Sequence, residues 1–140
     1  MPRLFRAMKE GEGGLPEEGE SARTLGIRPG IDVPVNTPEE LFRPGQGGLS
    51  VSPDDPLNFP MFRRPPEYQG VGKDQVWTIT AAELEPDLAY RPDPTSARHG
   101  FIEPARPMTL ADYQRALART RGLWRKATPA AAKRRDSNDA

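Results

Sequence analysis

Apolar residues fall in short blocks separated by proline and glycine, and only near the C-terminus do they recur at helical spacing. The first block, Arg3 to Met8 (RLFRAM), predicts a strand, followed by an acidic, glycine-rich loop over Lys9 to Glu20. Leu49 to Ser52 predicts a second strand after Gly47-Gly48, stopped by Pro53 and the turn-forming Asp54-Asp55-Pro56. Val76 to Thr80 (VWTIT) is rich in β-branched and aromatic residues and predicts the clearest strand. Leu88 to Tyr90 and Gly100 to Glu103 predict two more, with a turn over Pro92 to Arg98 between them and Pro104 closing the last.

Between Ser21 and Gly48 the pattern breaks at Pro29, Pro34, Pro38 and Pro44. IDVPV predicts a short edge strand there. TPEELF predicts a helical turn, because Thr37 before Pro38-Glu39-Glu40 combines an N-cap, a first-turn proline and early acid. Thr80 and Glu83 have the spacing of a capping box that opens one turn, limited by Pro86. Thr109 opens the one long helix: Leu110, Tyr113, Leu117 and Trp124 form an apolar stripe facing a core, with Thr109 and Asp112 as the cap pair. Asn58 to Gly72 (NFPMFRRPPEYQGVG) reads as a long aromatic and basic loop, a length more common in functional or disordered segments than in filler.

With 140 residues the chain fits one domain. Its 35% hydrophobic content implies a small core, and 17 prolines with 13 glycines imply many irregular connections. The expected organisation is a domain over residues 1–127 and a disordered basic tail over 128–140, whose Lys133-Arg134-Arg135 is too short for a nucleic-acid signal. Twenty basic and 20 acidic side chains cancel, so charge recommends neither nucleic acid nor membrane as a partner. The absence of cysteine removes disulfides, thiolate nucleophiles and Cys-ligated zinc. No apolar run has the length of a membrane span, and the N-terminus lacks the apolar segment of a cleavable signal peptide.

Several motifs reduce to plain readings. GVGKD at Gly70 to Asp74 fails as a phosphate loop, since Glu67 stands where the earlier glycine belongs and a strand follows where a helix should start. His99, the one histidine, reads as a turn or edge residue before Gly100, and Asp54-Asp55 as an Asx turn. Three features remain: Arg6 in LFRA, Ser50-Val51-Ser52 behind the paired glycines, and Glu103 in HGFIEPARPM.

In that order, an arginine on the first strand, Ser-x-Ser on a middle strand and a glutamate on a late strand resemble the R-S-E pattern of ADP-ribosyltransferases. The wording LFRA, GGLS and HGFIEPARPM before a terminal helix is similar to small type VI secretion toxins with an ADP-ribosyltransferase-like fold, over roughly residues 3 to 125. The resemblance implies an α+β fold with a small split mixed β core, long Pro-rich loops and a C-terminal helix. It implies a toxin that cleaves the nicotinamide bond of NAD+ and either modifies an unknown macromolecular target or hydrolyses NAD. Glu103, Arg6 and Ser50 would be catalytic. Arg6, Ala7, Gly48, Leu49, Ser50, Ser52 and Phe62 would hold NAD, Gly47-Gly48 by letting backbone approach it, and Phe59, Phe62 or Tyr68 would cover the nicotinamide ring.

The pattern departs at Val51, where threonine is usual, and at Phe101, where transferases of arginine carry Glu or Gln, so another acceptor, or plain NAD+ hydrolysis, is implied. A cognate immunity protein or antitoxin is the expected partner. The expected location is the producer's cytoplasm, with delivery into a target cell that needs no cleavable signal. Two alternatives stay open: a non-enzymatic interaction module in which Arg6 and Glu103 are merely paired, and an RNA-directed transferase of the same fold, disfavoured by the single histidine.

Overall fold

The computed structural model describes residues 2–128, so the basic tail expected beyond Thr128 lies outside the described residues. The strands are β1 (Arg3–Met8), β2 (Leu41–Phe42), β3 (Leu49–Pro53), β4 (Gln75–Thr80), β5 (Leu88–Pro92), β6 (Gly100–Pro104), β7 (Met108–Thr109) and β8 (Arg125–Lys126). The one described α-helix is α1 (Leu110–Arg119). Six strands form a sheet in the order β5-β6-β3-β1-β4-β8, and β2 pairs with β7 separately. All these pairs are antiparallel, with isolated parallel bridges at Glu18–Leu25 and Pro29–Val33. The fold is α+β.

Alternation along β1 divides the interior. Leu4 and Met8 enter the main core with Leu49, Val51, Trp77, Ile102, Tyr113 and Leu117, while Phe5 and Ala7 join a smaller cluster with Phe59, Tyr68, Val76 and Ala127. Helix α1 covers the main core with Leu110, Tyr113, Ala116 and Leu117, and Asp112 N–H donates to the Thr109 hydroxyl at its cap. The helix ends at Arg119, so Trp124 is not on the helical stripe. A short 3-10 turn over Arg121–Leu123 carries the chain around, and Trp124, extended, is buried in the same core with its indole N–H on the Thr120 hydroxyl at 3.0 Å.

Two predicted segments are shaped by other hydrogen-bond partners. TPEELF makes a single turn, closed by Glu40 N–H on the Thr37 carbonyl at 3.2 Å and by the Thr37–Glu40 side-chain contact, and goes no further, because the Pro38 and Glu40 carbonyls accept from Ala111 and Leu110 N–H. These are the orphan donors of the first turn of α1, and the segment satisfies them instead of continuing its own helix. Leu41 and Phe42 then extend into β2. IDVPV is a turn, because the Arg28 backbone and guanidinium both bind Asp32 and Gly30 N–H reaches the Val35 carbonyl. The Asn58 to Gly72 loop contains compact 3-10 turns at Met61–Arg63 and Pro66–Tyr68. Among the described residues no helix is long and apolar enough to cross a membrane.

Candidate active site

The sheet opens along one seam. β1 pairs with β4 along its whole length, from Arg3–Thr80 to Met8–Gln75, yet it pairs with β3 only at Leu4–Pro53 and Phe5–Ser52. β3 turns instead toward β6, where Leu49, Ser50 and Val51 face Ile102, Phe101 and Gly100. Backbone groups freed at such a divergence need partners, and Arg6 supplies them. Its Nη1 donates to the Ser50 carbonyl at 2.9 Å, and its Nη2 to the Ala22 and Thr24 carbonyls at 3.1 and 3.0 Å. A planar guanidinium spans three carbonyls where an ammonium could not.

The opening is a cleft of about 200 Å³ whose lining includes Arg6, Ala7, Ser50, Ser52, Phe59, Phe62, Arg63 and His99, with Arg28 and Asp32. Phe62 is exposed on its rim, whereas Phe59 is buried. Tyr68 is buried in the smaller core cluster and does not line the cleft. The charge is unbalanced. Asp32 is the lining carboxylate, and it is engaged by Arg28. Arg63 donates to the Ala7 and Ala22 carbonyls, and among the described residues neither it nor Arg6 pairs with a carboxylate. Burial first, and then the Arg63 charge, push Arg6 down to about 9, and burial likewise lowers Arg63. Arg6 Nε is buried without a partner. Buried charge of this kind is costly unless paired, and backbone carbonyls are the partners these two guanidinium groups have.

His99 is the functional candidate that the sequence reading passed over. It lies in the turn before β6, as expected, but its ring also lines the cleft. Nδ1 sits 2.9 Å from Asp93, and the ring stands edge-on to Phe101 with centroids 4.7 Å apart. The sequence signal was the Asp93-Pro94-Thr95-Ser96 turn ahead of a lone histidine. Arg63 was legible only as one basic residue in an aromatic loop.

Glu103 is placed elsewhere. Its Oε2 accepts from Gly45 N–H at 3.1 Å, its Oε1 accepts from Arg91 on β5, and it is almost fully buried beside a separate shallow concavity bounded by Tyr90, Arg91 and Pro104. It does not line the cleft that holds Arg6 and Ser50. The plain alternative of an Arg6–Glu103 pair is also not found. Gly48 and Leu49 are likewise absent from the cleft wall. Gly48 has a positive φ of 143°, and a Cβ there would meet the Ile102 carbonyl at 2.3 Å. That space is therefore filled by β6 rather than left open to a ligand. Leu49 is buried in the core, and its N–H donates to the Tyr113 hydroxyl, which in turn donates to the Ile102 carbonyl at 2.5 Å. Arg6, Ala7, Ser50, Ser52 and Phe62 do converge on one cleft.

A split antiparallel sheet, a cleft at the split and an arginine from the first strand across it set the frame for comparison. The sequence profile of the Tse2 ADP-ribosyltransferase toxin family matches residues 3–124. The chain belongs to the Tse2 ADP-ribosyltransferase toxin family. Membership makes it an ADP-ribosyltransferase-like toxin and a transferase enzyme, and the match covers every described strand except β8. No curated protein and no solved structure matches the chain.

Proposed function

We propose that this Tse2-family toxin binds NAD+ in the cleft between β1 and β3 and transfers its ADP-ribose to a macromolecular acceptor. The observation that carries the reading is the pair of guanidinium groups, Arg6 and Arg63, lining one cleft without a carboxylate partner among the described residues. A pyrophosphate would neutralise them. The residues fit a nicotinamide dinucleotide in charge and in the exposed Phe62 at the rim. The volume is below the about 300 to 1,000 Å³ usual for sites that enclose a whole ligand, so the cleft suits the reacting half with the remainder at its open mouth.

NAD+ would supply an ADP-ribosyl group: its nicotinamide–ribose bond breaks with the electron pair leaving on nicotinamide, and an acceptor's lone pair takes its place. The chain's own residues would bind and orient. Arg63 would meet the phosphate charge, with the buried Arg6 guanidinium adding to the field behind it. Ser50 and Ser52, on one face of β3 by alternation, line the cleft and would bind ribose through their hydroxyls. Phe62 would cover a flat ring and exclude water. His99 would accept a proton. We assign Glu103 to holding β6 against β5 and the Gly45 turn rather than to the reacting bond.

Delivery by type VI secretion and neutralisation by a cognate immunity protein belong to the same proposal. Calorimetric titration of NAD+ into the protein and into Arg63→Ala tests the binding step. Affinity should fall at least about tenfold on losing one charge-assisted phosphate contact. Equal affinity would remove the cleft from consideration.

A further inference from the structure

We propose that Asp93 is a positioning residue that fixes the His99 imidazole in the tautomer protonated at Nδ1, so that the Nε2 lone pair is presented to the cleft as a proton acceptor. The proposal rests on the reading of the cleft given above.

The turn between β5 and β6 is built around this contact. One Asp93 oxygen, Oδ1, accepts from the Thr95 backbone N–H at 2.8 Å and from the Thr95 hydroxyl at 2.7 Å. The other, Oδ2, is left to His99 Nδ1 at 2.9 Å. Asp93 N–H closes the loop on the His99 carbonyl at 3.1 Å, and Phe101 holds the ring from its edge. The bonds from His99 and then Thr95 keep the Asp93 carboxyl ionised, down to about 2. An ionised carboxylate can only accept, so Nδ1 must donate, and in the neutral ring it is then Nε2 that keeps the lone pair. Among the described residues Nε2 has no hydrogen-bond partner.

Phe101 faces Ser50 and Gly100 faces Val51 across the β3–β6 ladder, and Ser52 and His99 are the next residue on each side of its end. The ring lines the same cleft as the two serines. The charged groups sharing the cleft with it are Arg6, Arg28, Asp32 and Arg63. In the transfer step the acceptor's O–H or N–H proton would pass to Nε2 as its lone pair bonds to the ribose carbon. The imidazolium formed would carry its charge against Asp93.

Asparagine at position 93 would reverse the arrangement. Two donors from Thr95 claim the single amide oxygen, which turns the amide NH2 toward His99. Nδ1 must then accept, and the ring proton moves to Nε2.

The chain has one histidine, so the imidazole nitrogens of the uniformly 15N-labelled full-length protein report on His99 alone. The wild-type spectrum near neutral pH should show Nδ1–H and a bare Nε2, and Asp93→Asn should show the opposite. Single-turnover NAD+ cleavage should fall by about 10² to 10⁴ in Asp93→Asn, the range for losing a positioned general base. The protein should stay folded. A wild-type ring protonated at Nε2, or an unchanged tautomer in Asp93→Asn, would overturn the proposal, and the wild-type spectrum decides even if the variant does not fold. An inverted tautomer with undiminished cleavage would overturn it too, together with the role of the cleft. An unchanged tautomer alongside cleavage lost in His99→Ala would overturn only the part played by Asp93.

Discussion

Arg6 Nη1 donates to the Ser50 carbonyl across the gap where β1 and β3 part, so the residue expected to grip substrate first of all holds the site open. A side chain with that double duty should not separate stability from binding. Arg6→Met orphans buried carbonyls and is expected to cost about 2 to 4 kcal/mol. Arg6→Lys should recover little, because one ammonium cannot serve Ser50, Ala22 and Thr24 together. Denaturant midpoints of the two variants check this, and a midpoint equal to the parent's for Arg6→Lys would refute it.

The Tyr113 hydroxyl ties β3 to β6 by accepting from Leu49 N–H and donating to the Ile102 carbonyl. Tyr113→Phe keeps the ring and its edge contact with Phe42 but strands both backbone groups. The expected loss is about 1 to 3 kcal/mol. Faster hydrogen exchange at Leu49 would accompany it, while a fully protected amide there would argue against the bridge.

Trp124 is buried although it lies beyond α1. Trp124→Ala should cost about 3 to 5 kcal/mol, as for other large aromatic truncations in cores. Chemical unfolding at the parent's midpoint would show that the turn after α1 does not deliver it to the core.

Acid should weaken the fold through carboxylates that are held ionised. The Arg23 guanidinium lowers Asp74, and His99 with Thr95 lowers Asp93 to about 2. A carboxyl whose folded value lies below the unfolded one, about 3.9 for Asp, adds stability that is complete above the unfolded value and lost as pH falls through the folded one. Thermal midpoints should therefore drop between about pH 4 and pH 2. Asp93→Asn should flatten that drop, and an identical acid slope in the variant would contradict the assignment.

Much of the fold was legible because strands announce themselves locally: RLFRAM, VWTIT and the blocks at Leu49, Leu88 and Gly100 became β1, β4, β3, β5 and β6. IDVPV misled because the Arg28–Asp32 pair, four residues apart, and the Gly30–Val35 bond close a turn there, and TPEELF stopped at one turn because the orphan amides of α1, which no window of sequence contains, take its carbonyls. The site divides the same way. Arg6, Ser50, Ser52 and Phe62 share a cleft, as their strand and loop positions suggested. Glu103 was drawn elsewhere by Gly45 and Arg91, and Arg63 and His99 entered from loops whose path over the seam depends on the whole fold.

Glu103→Gln gives the sharpest contrast with a reading based on motif order. Each Glu103 oxygen accepts from a different donor, so an amide must turn its NH2 toward one of them. A stability loss of about 1 to 3 kcal/mol is expected. With Arg91 half exposed, the lower end is favoured. Chemistry at the cleft should be spared.

Single-turnover release of nicotinamide from NAD+, with bacterial lysate supplying the acceptor, separates the cleft from Glu103 when the parent, His99→Ala and Glu103→Gln are compared. If the cleft between β1 and β3 is the reacting site, His99→Ala should slow release by about 10² or more, while folded Glu103→Gln stays within a few-fold of the parent. Release abolished by Glu103→Gln and untouched by His99→Ala would contradict the account.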